Sequence, residues 1–357
     1  MGRRRAIVTV AVVAALAVLA GAAVVGVRWW RDGQRSELER AASYAPGDAQ
    51  RLSWTDWAAV RADVGARLDE SSSGEQVRDF LDRGYERDLT STSALVQSAP
   101  VLQARFGFSP GTADWELFAQ SEAGAVVILR MPDDTDFADL ADRLEGAGFT
   151  RPAAGAEDGQ VWLGGDQLLP TLGADLTPEL QFVALDAGRH LVLTSDTADY
   201  LEQAVAGLGE GDLPEGVDDV LAASGDPLSA AVYDGPYACG ALAMGQADAS
   251  DQAQADQLLR EAGDVDPLTG FAMSVQPDGR VRVAMGFETD DQARRNADSR
   301  SALADGPAPG QGGDFADRFS LDSATARGRV VRLDLTPRRG AYVLSDLSTG
   351  PVLFATC

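Results

Sequence analysis

The sequence predicts an α+β protein: an N-terminal transmembrane helix and a helical segment, then antiparallel sheets covered by helices from repeated β-hairpin–helix units. Three observations carry this expectation. Residues 6–27 form an unbroken apolar run. After residue 111, two short apolar runs around a turn, followed by a helical pattern, recur three times. The turns are short, which makes antiparallel pairing the natural connection. The expected segments are 1–35, a membrane anchor; 36–110, helical; 111–212, two hairpin–helix units; and 213–357, a third unit with C-terminal strands.

The run at 6–27 consists of Ala, Val, Leu, Ile, Thr and Gly. At about 1.5 Å per residue it reaches roughly 33 Å, against a hydrocarbon core of about 30 Å. Trp29 and Trp30 follow at the depth where aromatic rings favour the interface. Ala20-Gly21-Ala22 is a stretch that signal peptidase accepts, but apolar residues continue past it, so a retained anchor is expected. Leu19-Ala20-Gly21 resembles a lipobox, yet Ala22 stands where the lipidated Cys would be. Ala17, Gly21, Ala22 and Gly26 supply small-xxx-small pairs that let such helices pack together. Arg3, Arg4 and Arg5 favour an inside N-terminus, although Arg28, Arg31 and Arg35 nearly balance them from the other side.

The cysteines add a second argument on orientation. There are two, Cys239 and Cys357. With one possible partner for each, they read as a disulfide that pins the C-terminal end to the body, which favours an oxidising, extracytoplasmic compartment. A single-pass protein of the cell membrane with most of its chain outside is the resulting expectation, with the lipid bilayer as its first partner.

The chain is strongly acidic, with a formal charge of -25. The first 35 residues carry six arginines against one acid, Asp32, so the remainder stands at -30. Such a body repels phosphate backbones, which argues against nucleic acid as a partner. All 30 basic residues are arginine. A P-loop lysine, a Schiff-base lysine and a lysine general base are therefore excluded together.

Residues 36–68 read as helical, with Ser53-Trp54-Thr55-Asp56 as a capping box and Trp57, Val60 and Val64 as an apolar stripe. A second helix is expected at 75–85 and a third, broken near Pro100, at 93–106. The first hairpin pairs 115–119 with 126–129 and leads into a helix at 136–144. The second pairs 182–185 with 191–193 around Asp186-Ala187-Gly188 and leads into a helix at 197–208. The third pairs 271–275 with 281–287 around Pro277-Asp278-Gly279 and leads into a helix at 290–303. A last strand pair is expected at 330–335 and 342–344, and 307–313 reads as a flexible loop. Asp133, Asp134 and Asp136, Asp196 and Asp199, and Asp290 and Asp291 stand at the starts of these helices. They complement the helix dipole, whereas the spacing of a calcium loop is missing.

Candidate chemistry is sparse. Gly107-Phe108-Ser109-Pro110-Gly111 matches the G-x-S-x-G elbow. However, Pro110 lacks the N–H that the oxyanion hole requires, and a helix precedes the motif where a strand should. His190 is the only histidine, which excludes multi-histidine zinc sites; with two cysteines, iron–sulfur and zinc-ribbon sites go as well. It is expected on the second strand of its hairpin, exposed. Neither aspartic-protease signature occurs. Paired carboxylates for glycoside hydrolysis stay open, because their separation is invisible in sequence. No metal or cofactor is implied.

The arginine-flanked anchor, Leu52-Ser53-Trp54-Thr55-Asp56-Trp57, Trp115-Glu116-Leu117 and the segment 182–208 resemble the uncharacterised, membrane-anchored extracytoplasmic proteins of actinobacteria, of domain-of-unknown-function type, with repeated hairpin–helix units. The resemblance implies an envelope location and no established activity, so no functional residues carry over.

The leading functional expectation is a non-enzymatic binding or interaction module of the envelope, with a ligand or envelope protein as partner. The alternatives are an extracytoplasmic hydrolase using carboxylates or the Ser109/His190 pair, and a purely structural envelope protein. The cysteine pairing is checked directly by intact mass: reduction should add about two hydrogens per chain. An unchanged mass would mean free thiols.

Overall fold

The computed structural model describes residues 35–152 and 159–357. The expected membrane span at 6–27 lies outside them. Among the described residues, no helix is long and apolar enough to cross a membrane.

The first half contains α1 (Glu37–Ala42), β1 (Arg51–Thr55), α2 (Trp57–Asp63), α3 (Gly74–Tyr85), α4 (Ala99–Arg105), β2 (Trp115–Gln120), β3 (Ala125–Arg130), α5 (Phe137–Ala147), β4 (Val161–Leu163), α6 (Leu169–Leu172), β5 (Phe182–Asp186), β6 (Leu191–Ser195) and α7 (Ala198–Ala206). The second contains α8 (Glu215–Ser224), β7 (Ser229–Asp234), α9 (Gly235–Ala241), α10 (Ala249–Ala262), β8 (Gly270–Val275), β9 (Val281–Gly286), α11 (Asp290–Ala304), β10 (Phe319–Arg327), β11 (Val330–Pro337) and α12 (Val343–Leu347). All eleven strands belong to one sheet in the order β10-β11-β9-β8-β7-β1-β2-β3-β6-β5-β4. Every neighbouring pair is antiparallel.

The α+β class and the three expected hairpins are present, each followed by its helix. Four details differ from the sequence reading. Residues 36–68 are not helical throughout, because Arg51–Thr55 is the central strand. Its side chains alternate, with Leu52 and Trp54 in one core layer and Ser53 and Thr55 on the opposite face. The capping side chain here is Asp56, whose carboxylate accepts from Ala59 N at 2.8 Å. Pro100 stands in the first turn of α4, where its missing N–H costs nothing, so it starts the helix and does not break it. Strand β11 pairs with β10, whereas 342–344 leads into α12. The sheet is covered on both faces. Helices α1, α7 and α8 pack on one side through Leu38, Leu201 and Val220. Helices α2 to α6 and α9 to α12 pack on the other through Phe80, Leu144 and Leu344.

The two halves repeat a larger unit than the hairpin. The strand order outward from the centre is β1-β2-β3-β6-β5 on one side and β7-β8-β9-β11-β10 on the other. The central register obeys the same approximate two-fold. Arg51 pairs with Tyr233 and Thr55 with Ser229. Asp56 N donates to Leu228 O and Asp234 N to Gln50 O, both at 2.9 Å. Asp56 caps α2 and Asp234 caps α9. The edges are blunted: β4 has three residues, and β10 carries a register shift between Leu321 and Ser323.

The C-terminal end is tied down as expected. Cys239 and Cys357 form a disulfide with Cα atoms 5.5 Å apart. Beside it lies a group that no local sequence pattern marks. Arg300 is fully buried; its guanidinium donates to Phe354 O at 2.8 Å, to Asp266 O at 2.6 Å, to Thr356 O and to Asn296 Oδ1. Burial lowers its pKa to about 10.

Helix α8 lies unusually close to the sheet. A Cβ on Gly216 would stand 2.2 Å from Thr269 O, and one on Gly270 would stand 2.2 Å from Gly216 O. Gly216→Ala should therefore force the helix outward and destabilise the chain by about 1–3 kcal/mol. In α9, Gly240 has open space around its Cβ position, so Gly240→Ala should be neutral or raise stability by up to about 1 kcal/mol. Urea denaturation of both variants checks the contrast.

Candidate functional site

The approximate two-fold places β1 and β7 side by side at the middle of the sheet. Above β1, on the face that carries α2 to α6, lies a cleft of about 530 Å³. Its floor is Arg51, Ser53 and Phe118, one wall is the loop 90–97, and the opposite wall is 177–179.

Strand alternation puts Arg51 on this face, opposite Tyr233 across the β1–β7 register and one diagonal step from Phe118 on β2. The guanidinium carbon lies 6.0 Å from the centroid of each ring. These cation–π contacts hold its position while leaving its N–H donors unassigned. Arg51 Nε is buried without a hydrogen-bond partner. Other part-buried arginines, such as Arg61, Arg130 and Arg282, donate to a carboxylate or carbonyl oxygen, and Arg332, whose Nε is also without a partner, is ion-paired with Asp334. Ser53, next on the same face, is only 2% exposed, and its hydroxyl has no partner either. Thr177 Oγ1 on the far wall is a third such atom. Buried polar atoms are nearly always paired, and each orphan costs about 1–3 kcal/mol. Of ten such atoms among the described residues, three belong to residues that line this one cleft.

The walls are rigidly held. Thr92 Oγ1 donates to Trp54 O at 2.9 Å and lies 3.0 Å from Thr55 Oγ1. The Glu116 carboxylate on β2 accepts from Trp57 Nε1 at 3.0 Å, Ser93 Oγ at 2.8 Å and Ala94 N at 2.8 Å. On the far wall, Ser98 Oγ donates to Asp175 O and accepts from Thr177 N. At the mouth, Tyr85 is 51% exposed and stacks on Tyr342 of the second half, with centroids 5.2 Å apart. Asp88 closes the same seam. Its carboxylate accepts from Leu344 N at 2.6 Å and Ser345 N at 3.0 Å, capping α12 across the junction between the halves.

The residues singled out by sequence lie elsewhere. Ser109 is fully buried; its hydroxyl donates to Gln103 Oε1 at 2.6 Å and accepts from Gly111 N at 2.9 Å. It is a turn-forming residue, and no hydrogen bond joins it to His190. His190 stands in the β5–β6 turn with φ 55°, one residue before the expected strand, and its ring packs edge-on against Phe137. Among the described residues, no group of three or more His, Cys, Asp or Glu side chains is placed to hold a metal ion. Neither Arg51 nor Ser53 stands out in the sequence, because 36–68 reads as helical. The alternation in Arg51-Leu52-Ser53-Trp54-Thr55 was the available signal.

Burial pushes the Glu116 carboxyl up to about 7, against the pull of its hydrogen bonds from Ser93, Trp57 and Ala94. Burial likewise pushes Asp88 up to about 7, against its bonds from Leu344 and Ser345. Both therefore hold protons in the folded chain where the unfolded chain, with pKa values near 4, has lost them. Their contribution to stability is whole below about pH 4, declines as pH rises, and is lost above about 7. Glu116→Gln should reduce the fall in unfolding free energy between pH 5 and 8 by on the order of 1–3 kcal/mol. Denaturant titrations at the two pH values measure it, and equal falls in both proteins would contradict it.

Comparison with protein-family models and with curated proteins gives no match. Among solved structures the chain is similar to TP0453 in its crystal form I, at 7% identity and a TM-score of 0.39, over 86% of this chain and 96% of that one. A likeness that remote carries no argument about function.

Proposed function

We propose that this chain is a membrane-tethered, extracytoplasmic and non-enzymatic binding module of the cell envelope, which takes a small ligand in its central cleft. The observation that carries the reading is the gathering of three unpartnered polar atoms, on Arg51, Ser53 and Thr177, around one cleft with firmly held walls. A cleft of about 530 Å³ lies within the usual range for small-molecule sites. The Cys239–Cys357 disulfide supports an oxidising compartment, and the apolar run at 6–27 supports a tether. The resemblance to anchored actinobacterial envelope proteins points the same way.

A test uses the full chain in detergent and the low-molecular-weight fraction of an envelope extract. A ligand that binds only the folded state raises the melting temperature by mass action. A rise of a few degrees is expected for the wild type. It should be absent in Ser91→Trp, where a bulky ring at an exposed wall position blocks the cleft. A melting temperature that no fraction moves, or one that moves equally in both proteins, rejects the cleft as the binding site.

A further inference from the structure

Resting on the binding reading above, the chemistry of the cleft narrows the ligand. We propose that the cleft binds an organic monocarboxylate with an aromatic or apolar body, its carboxylate on the Arg51 guanidinium and beside the Ser53 hydroxyl.

The anionic end follows from Arg51. A guanidinium presents N–H donors in a planar fork that matches a carboxylate. Here the fork is braced by Phe118 and Tyr233 and has neither an ion pair nor a hydrogen bond among the described residues. It stays unpaired in a body with a large excess of acid, where arginines such as Arg87, Arg143 and Arg329 have found carboxylates. Ser53 lies two residues along the same strand face, roughly 7 Å away, and offers a buried hydroxyl.

The single charge follows from what surrounds that cation. Glu179, half-buried on the far wall, brings a carboxylate to the same cleft, and the body beyond residue 35 stands at -30. One cation and one acid lining the same cleft in a negative field favour a monoanion over a phosphate dianion. The apolar body follows from the aromatic surfaces: Phe118 on the floor and Tyr85 at the mouth give a ring or chain something to lie against.

The experiment is isothermal titration of the full chain in detergent at pH 7.5 with cinnamate, cinnamamide and inorganic phosphate. Cinnamate should bind the wild type, and cinnamamide and phosphate should bind about tenfold more weakly or not at all, as expected for loss of a charge-assisted pair. Arg51→Gln should lose cinnamate binding to the same degree, Arg51→Lys should retain part of it, and Ser53→Ala should weaken it several-fold. Circular dichroism verifies that each variant folds. If Arg51→Gln does not fold, the amide comparison on the wild type and the Ser53→Ala titration decide. Equal affinity for cinnamate and cinnamamide, phosphate binding as strong as cinnamate binding, or undiminished cinnamate binding by folded Arg51→Gln would each overturn the assignment. Absence of cinnamate binding while the envelope extract still raises the melting temperature would overturn the carboxylate and leave the binding reading standing.

Discussion

The pairing of β1 with β7 is the constraint on which the rest of the structure depends. It joins two halves of like topology into one sheet, and its register decides which side chains face which helical layer. A slip of one residue would turn Arg51 and Ser53 toward α1, α7 and α8 and bring Leu52 and Trp54 to the cleft. The cleft itself is lined by the first half alone, between the loop at 90–97 and the segment at 177–179, and it opens near the seam between the halves. Asp88 and the Tyr85–Tyr342 stack cross that seam and fix its width.

The three hairpins were legible, whereas the central strands β1 and β7 and the edge strands β4 and β10 were not, for a physical reason. The three hairpins announce themselves through turn residues such as Pro277-Asp278-Gly279 between apolar runs, and those signals are local. Strand β7 begins Ser229-Ala230-Ala231, small residues of weak strand preference that are held extended only by neighbours on both sides. Strand β1 was hidden by the strong helix start that follows it at Asp56. The disulfide was legible because two cysteines allow one pairing. The cleft was not, since nothing distinguishes Arg51 from the other arginines until the fold withholds a partner from it. Ser109 is the opposite case, a motif whose hydroxyl the fold spends on Gln103 and Gly111.

Polar burial follows a consistent division of labour. Buried carboxylates hold backbone N–H groups in place: Glu116 fixes the loop at Ala94, and Asp88 fixes the first turn of α12. Buried arginines hold carbonyls: Arg300 gathers the C-terminal segment, and Arg61 binds Pro110 O and Ala113 O. Ionisable groups thus act as many-handed hydrogen-bond hubs for irregular chain, and long loops can then pack without orphaned backbone. Arg51 departs from this pattern, and that departure is what marks it.

The blunted edges have a consequence for how this protein meets others. A sheet of eleven strands offers two edges where a foreign strand might add, extending the ladder in the manner of fibrils or of strand-donating complexes. At one end β4 is three residues long, too short to template such growth. At the other, the shifted register of β10 interrupts the row of free amides, and Asp322 and Arg327 add charge along it. A wide, hydrophobic sheet is in this way kept from polymerising through its backbone, and encounters with neighbours are left to side chains.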